Sequence, residues 1–215
     1  NLMAYAVKEI FYSLQGEGAH AGRPAIFCRF TGCNLWSGQE KHRADAVCQF
    51  CDTDFVGTDG EGGGSFKNAV ALAKAVVSYW PESITDIIHP YVICTGGEPL
   101  LQLDKDLIEA FHNEGVEVAI ETNGTIPVPE GIDWVCVSPK SGSTVVVEQG
   151  DEIKLVYPQE GHQPSDFVHL NFEHFFLQPM FDEDENGHVK ETIEYCLTHP
   201  RWSLSLQSHK LLGLQ

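Results

Sequence analysis

The stretch VEVAIETNGTIPVPEGIDWVCVSPK, Val116–Lys140, decides how this chain folds. It contains two mostly apolar runs, Val116–Thr122 and Trp134–Ser138, with the Val, Ile and aromatic content of parallel strands covered on both faces. Eleven residues separate the runs, among them Gly124, Pro127, Pro129 and Gly131. A parallel crossover usually takes a dozen or more residues, commonly a helix, and these breakers forbid one. Similar runs lie at Ala25–Phe30, Tyr91–Cys94, Glu152–Tyr157 and Phe175–Gln178, and the thirteen residues between Ser138 and Glu152 are again rich in Gly and Ser. Three stretches read as long helices. Ser65–Tyr79 has Ser65 as an N-cap and Pro81 past its end, Leu101–Asn113 is amphipathic and stops before Gly115, and Gly187–Leu197 ends before Pro200. About six strands with about three long helices predict an α/β fold, a partial, open parallel α/β barrel in which some crossovers shrink to loops. One domain over residues 1–215 is expected, without internal repeats.

Composition narrows the function. Apolar residues make up 42% and charged residues 20% of the chain, the balance of a soluble globular protein. Against 13 basic residues stand 31 acidic ones, a formal charge of −18. Such a surface repels phosphate backbones, so nucleic acid is not an expected partner. Any cation near a site is correspondingly informative. Met3–Ile10 carries Lys8 and Glu9 where a signal peptide would be apolar. The weakly polar run Ala69–Tyr79 is broken by Lys74 and too short to cross a bilayer. The expectation is a cytoplasmic protein with no membrane association.

There are seven cysteines, an odd number that argues against a disulfide framework. Cys28, Cys94 and Cys136 sit inside apolar runs and read as small buried hydrophobes, as does Cys196 in its helix. Cys33, Cys48 and Cys51 remain. A CxxC pair places two thiolates on one tight turn, suited to a metal, a cluster or redox chemistry. Spacing alone leaves zinc, with His42 or His20 as fourth ligand, and iron–sulfur both open. Gly57–Ser65 is glycine-rich, but lacks the strand and Lys-Ser/Thr of a phosphate loop; a flexible surface loop is expected. After the run Tyr91–Cys94 comes Thr95-Gly96-Gly97-Glu98-Pro99. Paired glycines at a strand's end allow close backbone approach to a ligand, on the side of an α/β core where sites form.

Phe50 before Cys51, together with the Gly96–Pro99 turn, resembles the radical S-adenosylmethionine superfamily. The usual three residues between its first two cysteines are fourteen here, so residues 34–47 look like an insertion in the cluster loop. Phe11–Gly18, Arg29, Cys51-Asp52-Thr53, Thr95, Ser138-Pro139-Lys140 and Gln178-Pro179-Met180 extend the resemblance over nearly the whole chain, to the 7-carboxy-7-deazaguanine synthase family. That family has a small, truncated barrel and lengthened cluster loops.

The resemblance implies a 4Fe–4S cluster on Cys33, Cys48 and Cys51, with one iron open for S-adenosyl-L-methionine. It implies Leu14, Gln15 and Gly16 around a pterin, Arg29 on its carboxylate, Thr95 as a hydrogen-bonding group and Gln215 as a further contact. Phe50, Asp52, Gly97, Ser138, Pro139, Lys140, Gln178, Pro179, Met180 and Phe181 would line the S-adenosylmethionine site, and Thr53 would bind Mg²⁺. By themselves Arg29 also suits a structural salt bridge, Thr95 a cap, Lys140 a solvated loop and Thr53 no function at all. No side chain is expected to be catalytic, because cluster and adenosyl radical carry the chemistry. The implied reaction converts 6-carboxy-5,6,7,8-tetrahydropterin to 7-carboxy-7-deazaguanine with loss of ammonia, in queuosine or other deazapurine biosynthesis. A flavodoxin-like reductant and a homodimer are implied as well. An activase for another protein would want an exposed face instead, and a zinc-stabilised interaction module would be the reading from another class.

Overall fold

The computed structural model describes residues 4–181 and 185–214. The strands are β1 (Tyr5–Leu14), β2 (Pro24–Phe30), β3 (Gly64–Phe66), β4 (Tyr91–Gly96), β5 (Glu117–Thr122), β6 (Trp134–Val137), β7 (Gln149–Tyr157), β8 (Asn171–Pro179) and β9 (Ser203–Leu204). The helices are α1 (Ala69–Val77), α2 (Lys105–Asn113), α3 (Glu185–Thr198) and α4 (Ser208–Leu212). The nine strands form one sheet in the order β3-β1-β2-β4-β5-β6-β7-β8-β9. From β2 to β9 all neighbours are parallel; β1 pairs antiparallel with β2, and β3 antiparallel with β1.

All six predicted runs coincide with strands, Val116 and Ser138 alone lying one residue outside β5 and β6, and the links 123–133 and 138–148 carry no helix. The count of about six is nonetheless too low, since β1, β3 and β9 add to the sheet. β1 escapes a reading by apolar runs because Lys8 and Glu9 interrupt it. Lys8 is only 8% exposed. Its ammonium is met by Asp54 and Asp59 at 3.0 and 2.7 Å and by the Val56 carbonyl at 2.9 Å. These partners lie far along the chain, so no local pattern announces them. β3 and β9 have three and two residues, too short for periodicity.

Two helix starts also move. Ser65 is no N-cap: it pairs with Ala6 in the sheet, and α1 begins after Asn68, whose side chain accepts from the Ala71 N–H at 2.8 Å. Pro99–Leu101 is a separate 3₁₀ turn. α2 starts after Asp104, which accepts from the Leu107 N–H at 3.0 Å. Asn and Asp are strong N-caps, and each starts its helix later than the apolar pattern suggested. The stretch around Gly57–Ser65 is on the surface but tied down: Gly60 donates to the Lys8 carbonyl at 3.0 Å, and Ile10 to Glu61 at 2.7 Å.

Pleating divides the work of the sheet. In β2, Ile26, Cys28 and Phe30 are fully buried in a core shared with Leu72 and Val76 of α1 and Leu107, Ile108 and Phe111 of α2. Each such large side chain contributes roughly 1.5–3 kcal/mol by burial. Phe27 and Arg29 face a cavity on the opposite side. Cys28, Cys94 and Cys136 are core residues as their setting suggested. A second core under β7 and β8 gathers Leu155, Phe175, Leu177 and Trp202. No helix of the described residues is long and apolar enough to cross a membrane.

Candidate active site

A cavity of ≈450 Å³ collects the segments that follow β4, β5, β6 and β8, together with the cysteine loop, residues 14–17 and the C-terminal segment. Ligand sites of parallel α/β folds lie at this end of the strands. Arg29 and Thr95 are register partners on neighbouring strands, so their side chains project side by side into it. Arg29 Nε donates to Glu9 at 2.7 Å, with both side chains under a fifth exposed. The salt bridge and the cavity position therefore coexist: Glu9 holds the guanidinium where it lines the wall.

The Gly96–Pro99 turn packs directly on the cysteine loop. A Cβ on Gly97 would sit 2.2 Å from the Gly32 carbonyl oxygen and 2.7 Å from Cys33 Cβ, and one on Gly96 would sit 2.2 Å from the Phe30 carbonyl oxygen. Gly96 also has φ +138°, a conformation that favours glycine. Glu98 is fully buried and anchors the turn from below. It accepts from the Leu100 and Asn123 amides at 3.0 and 2.8 Å and from Thr122 Oγ1 at 2.8 Å. Burial pushes its carboxyl up, against those three donors.

Cys51 lines the cavity; Cys33, partly buried, and Cys48, buried, are off its wall. The two thiols of the CxxC turn act on each other: the neighbouring Cys51 and burial push Cys48 up, while Cys48, the Thr53 amide and Lys140 bring Cys51 below the usual thiol range against its burial. Burial raises Cys33. Neither candidate fourth zinc ligand belongs to this group. His42 Nδ1 pairs with Ser37 at 2.9 Å, and His20 stacks on Trp134 and pairs with the Tyr91 hydroxyl at 3.0 Å. Among the described residues no three His, Cys, Asp or Glu side chains close on a single metal ion. A donor set of thiolates with no imidazole or carboxylate among them suits an iron–sulfur cluster, which spreads its thiolates over several irons.

Of the other predicted residues, Leu14, Gln15, Gly16, Phe50, Asp52, Thr53, Gly97, Ser138, Lys140, Gln178, Pro179, Met180 and Phe181 also line the cavity. Lys140 is no solvated loop charge: its ammonium donates to Ser138 Oγ at 2.7 Å and stands 5.7 Å from the Phe50 ring centre. Pro139 is off the wall, its carbonyl accepting from Gln159 at 3.4 Å. Gln215 lies outside the described residues.

Several wall residues were not foreseen. Lys154, 2% exposed, bridges Glu17 at 2.5 Å and Glu121 at 3.1 Å, and Glu121 accepts from Gln15 at 2.9 Å. Burial would raise the Glu17 carboxyl, but Lys154 and Gln207 override it and hold it at about 2. A lysine inside the mostly apolar run Glu152–Tyr157 was the available signal. From the C-terminal side, Ser208 donates to the Gly16 carbonyl, and Lys210 pairs with Asp52 at 2.6 Å while standing 3.7 Å from the Phe181 ring centre. α4 thus spans the mouth between the Gly16 turn and the cysteine loop.

A mostly parallel α/β sheet, a three-cysteine loop and a paired-glycine turn on one cavity define the class as that of the radical S-adenosylmethionine enzymes. The chain is 60% identical to 7-carboxy-7-deazaguanine synthase of Bordetella pertussis and 56% identical to that of Burkholderia multivorans, over 99% of this chain and 100% of each relative. It also superposes on the crystal structure of QueE from Escherichia coli with a TM-score of 0.68 and 26% identity, covering 95% of this chain and 94% of that one. No family model matches. The chain belongs to the 7-carboxy-7-deazaguanine synthase family.

Proposed function

We propose that this chain forms 7-carboxy-7-deazaguanine from 6-carboxy-5,6,7,8-tetrahydropterin, contracting the ring and releasing ammonia. The observation that carries this reading is that Arg29 and Thr95, adjacent in register, face the same cavity as Cys51 and Gly97. A guanidinium is a bidentate partner for a carboxylate, and in a chain of charge −18 its presence on a cavity wall selects an anionic group.

Cys33, Cys48 and Cys51 would hold a 4Fe–4S cluster, which when bound supplies the electron for reductive cleavage of S-adenosylmethionine. Gly97 leaves backbone groups accessible beside the cysteine loop. Ser138, Lys140 and Gln178–Phe181 would line the cavity for that cofactor, with Phe50 and Asp52 flanking Cys51; Pro139 would act only by shaping the turn. Gln15, fixed by Glu121, and Gly16, held by Ser208, would orient the pterin beside Leu14. Thr53 would give one hydroxyl to Mg²⁺, a cation that keeps several waters and binds through few protein oxygens. α4 would restrict water at the mouth. The proposal includes Gln215 as a pterin contact, a single domain curved as a partial open barrel, a homodimer, a flavodoxin-like reductant and a cytoplasmic setting. These last features rest on the family likeness.

The test is anaerobic incubation of the iron–sulfur-reconstituted chain with the carboxytetrahydropterin, reductant and S-adenosylmethionine. A deazapurine carboxylate should accumulate, and Cys33→Ala should lose both product and the broad visible absorption of the cluster. Stoichiometric zinc without iron, or no product from an intact cluster, would overturn the reading.

A further inference from the structure

The insertion at residues 34–47 has no part in the cavity wall, yet it contains a side chain bound at four points. Arg43 lies in the 3₁₀ turn Glu40–Asp45. Its Nε and Nη2 donate to the two carboxylate oxygens of Glu40 at 2.6 and 2.8 Å. Its Nη1 donates to the carbonyls of Gln49 and Cys51 at 2.8 and 3.1 Å. The guanidinium carbon stands over the Trp36 ring, 4.2 Å from its centre, and Trp36 is buried edge-on against Phe55. Gln49 answers by donating to the Ala44 carbonyl at 3.1 Å.

Every one of these contacts ends on the CxxC turn or on what supports it. Peptide carbonyls that point away from regular structure need a donor, and Gln49 and Cys51 take theirs from one planar fork. Lysine cannot reproduce this: it has no fixed fork and stacks less well on an aromatic face. Glu40 presets the fork, and Trp36 supports it from below.

We propose that Arg43 is a positioning residue for the cysteine loop, and that the long gap between Cys33 and Cys48 exists to carry it. By fixing the two carbonyls it holds the Cys48–Cys51 turn in the geometry that receives the cluster. The inference rests on the cluster assignment made above, but its geometric half is independent of that assignment.

Two variants and two readouts test it. In the reconstituted holoenzyme, Arg43→Met should release iron to a chelator about tenfold faster than wild type, the fold-change of one lost charge-assisted hydrogen bond. Arg43→Lys should restore part of the difference, since an ammonium still reaches one carbonyl. Amide exchange over residues 46–53 should quicken in both variants, with or without cluster, while exchange in β4 and β5 stays at the wild-type level. Wild-type iron release and wild-type exchange in both variants would overturn the proposal. If Arg43→Met does not fold, Arg43→Lys decides by the same two measurements. A wild-type chain that takes up no iron and sulfide would instead count against the cluster assignment, and the exchange arm would still judge the clamp.

Discussion

Lys154 is the residue on which the end of the cavity around Gln15 is built. It is buried between Glu17 and Glu121, whose other partners are Gln207 and Gln15. Removing one member of a buried ion network leaves uncompensated charge, and typically costs about 3–5 kcal/mol. Lys154→Met should therefore lower the unfolding free energy by about that amount in urea titration, far more than removal of the exposed Lys105–Glu109 pair. Arg29 makes a different prediction, on binding. Arg29→Lys keeps the charge but loses the fork, so under the proposed reaction KM for the pterin should rise about tenfold. Iron content should be unchanged, because Arg29 touches Glu9 and not the cysteine loop. A lowered iron content would remove Arg29 from the substrate site and return it to a structural role.

Among elements, the Gly96–Pro99 turn has a packing role as strict as any role in ligand binding. Gly97→Ala would drive a Cβ into the Gly32 carbonyl and Cys33 Cβ. Backbone cannot yield as a flexible side chain does, so the variant should lose about 1–3 kcal/mol and displace Cys33. The check is iron and sulfide content after reconstitution, expected to fall, alongside the urea midpoint. This turn was legible because its chemistry is local: strand, glycines and Glu98 are contiguous, and Phe50-Cys51 is a dipeptide. The central parallel strands were legible for the same reason, each being an apolar run between breakers. β1 was not, since Lys8 becomes tolerable in a strand only through Asp54 and Asp59. Lys154, Glu17, Glu121 and Gln207 come from four distant segments, and their mutual neutralisation exists only after the sheet has formed. α4 is five residues long and gave no period to read.

At the scale of the whole molecule, the −18 charge complicates any reading of acid stability. Lowering the pH protonates carboxylates and relieves repulsion among 31 acidic side chains, which favours the folded state. Glu17 acts in the opposite sense. Its carboxyl is held at about 2 against an ordinary 4.5, so it contributes stability above the ordinary value and loses it as pH falls toward 2. The full contribution is on the order of 3 kcal/mol. A wild-type pH profile alone mixes the two effects. Comparison with Glu17→Gln separates them, because the background of other carboxylates is common to both chains. At pH 6–7 the variant should be less stable by about that amount, since Lys154 then has Glu121 as its remaining charged partner. Between pH 4.5 and 2 the urea midpoints should converge, as wild-type Glu17 also becomes neutral. A gap that keeps its size down to pH 2.5 would mean that Glu17 stabilises the fold by packing and neutral hydrogen bonding, not by its charge beside Lys154.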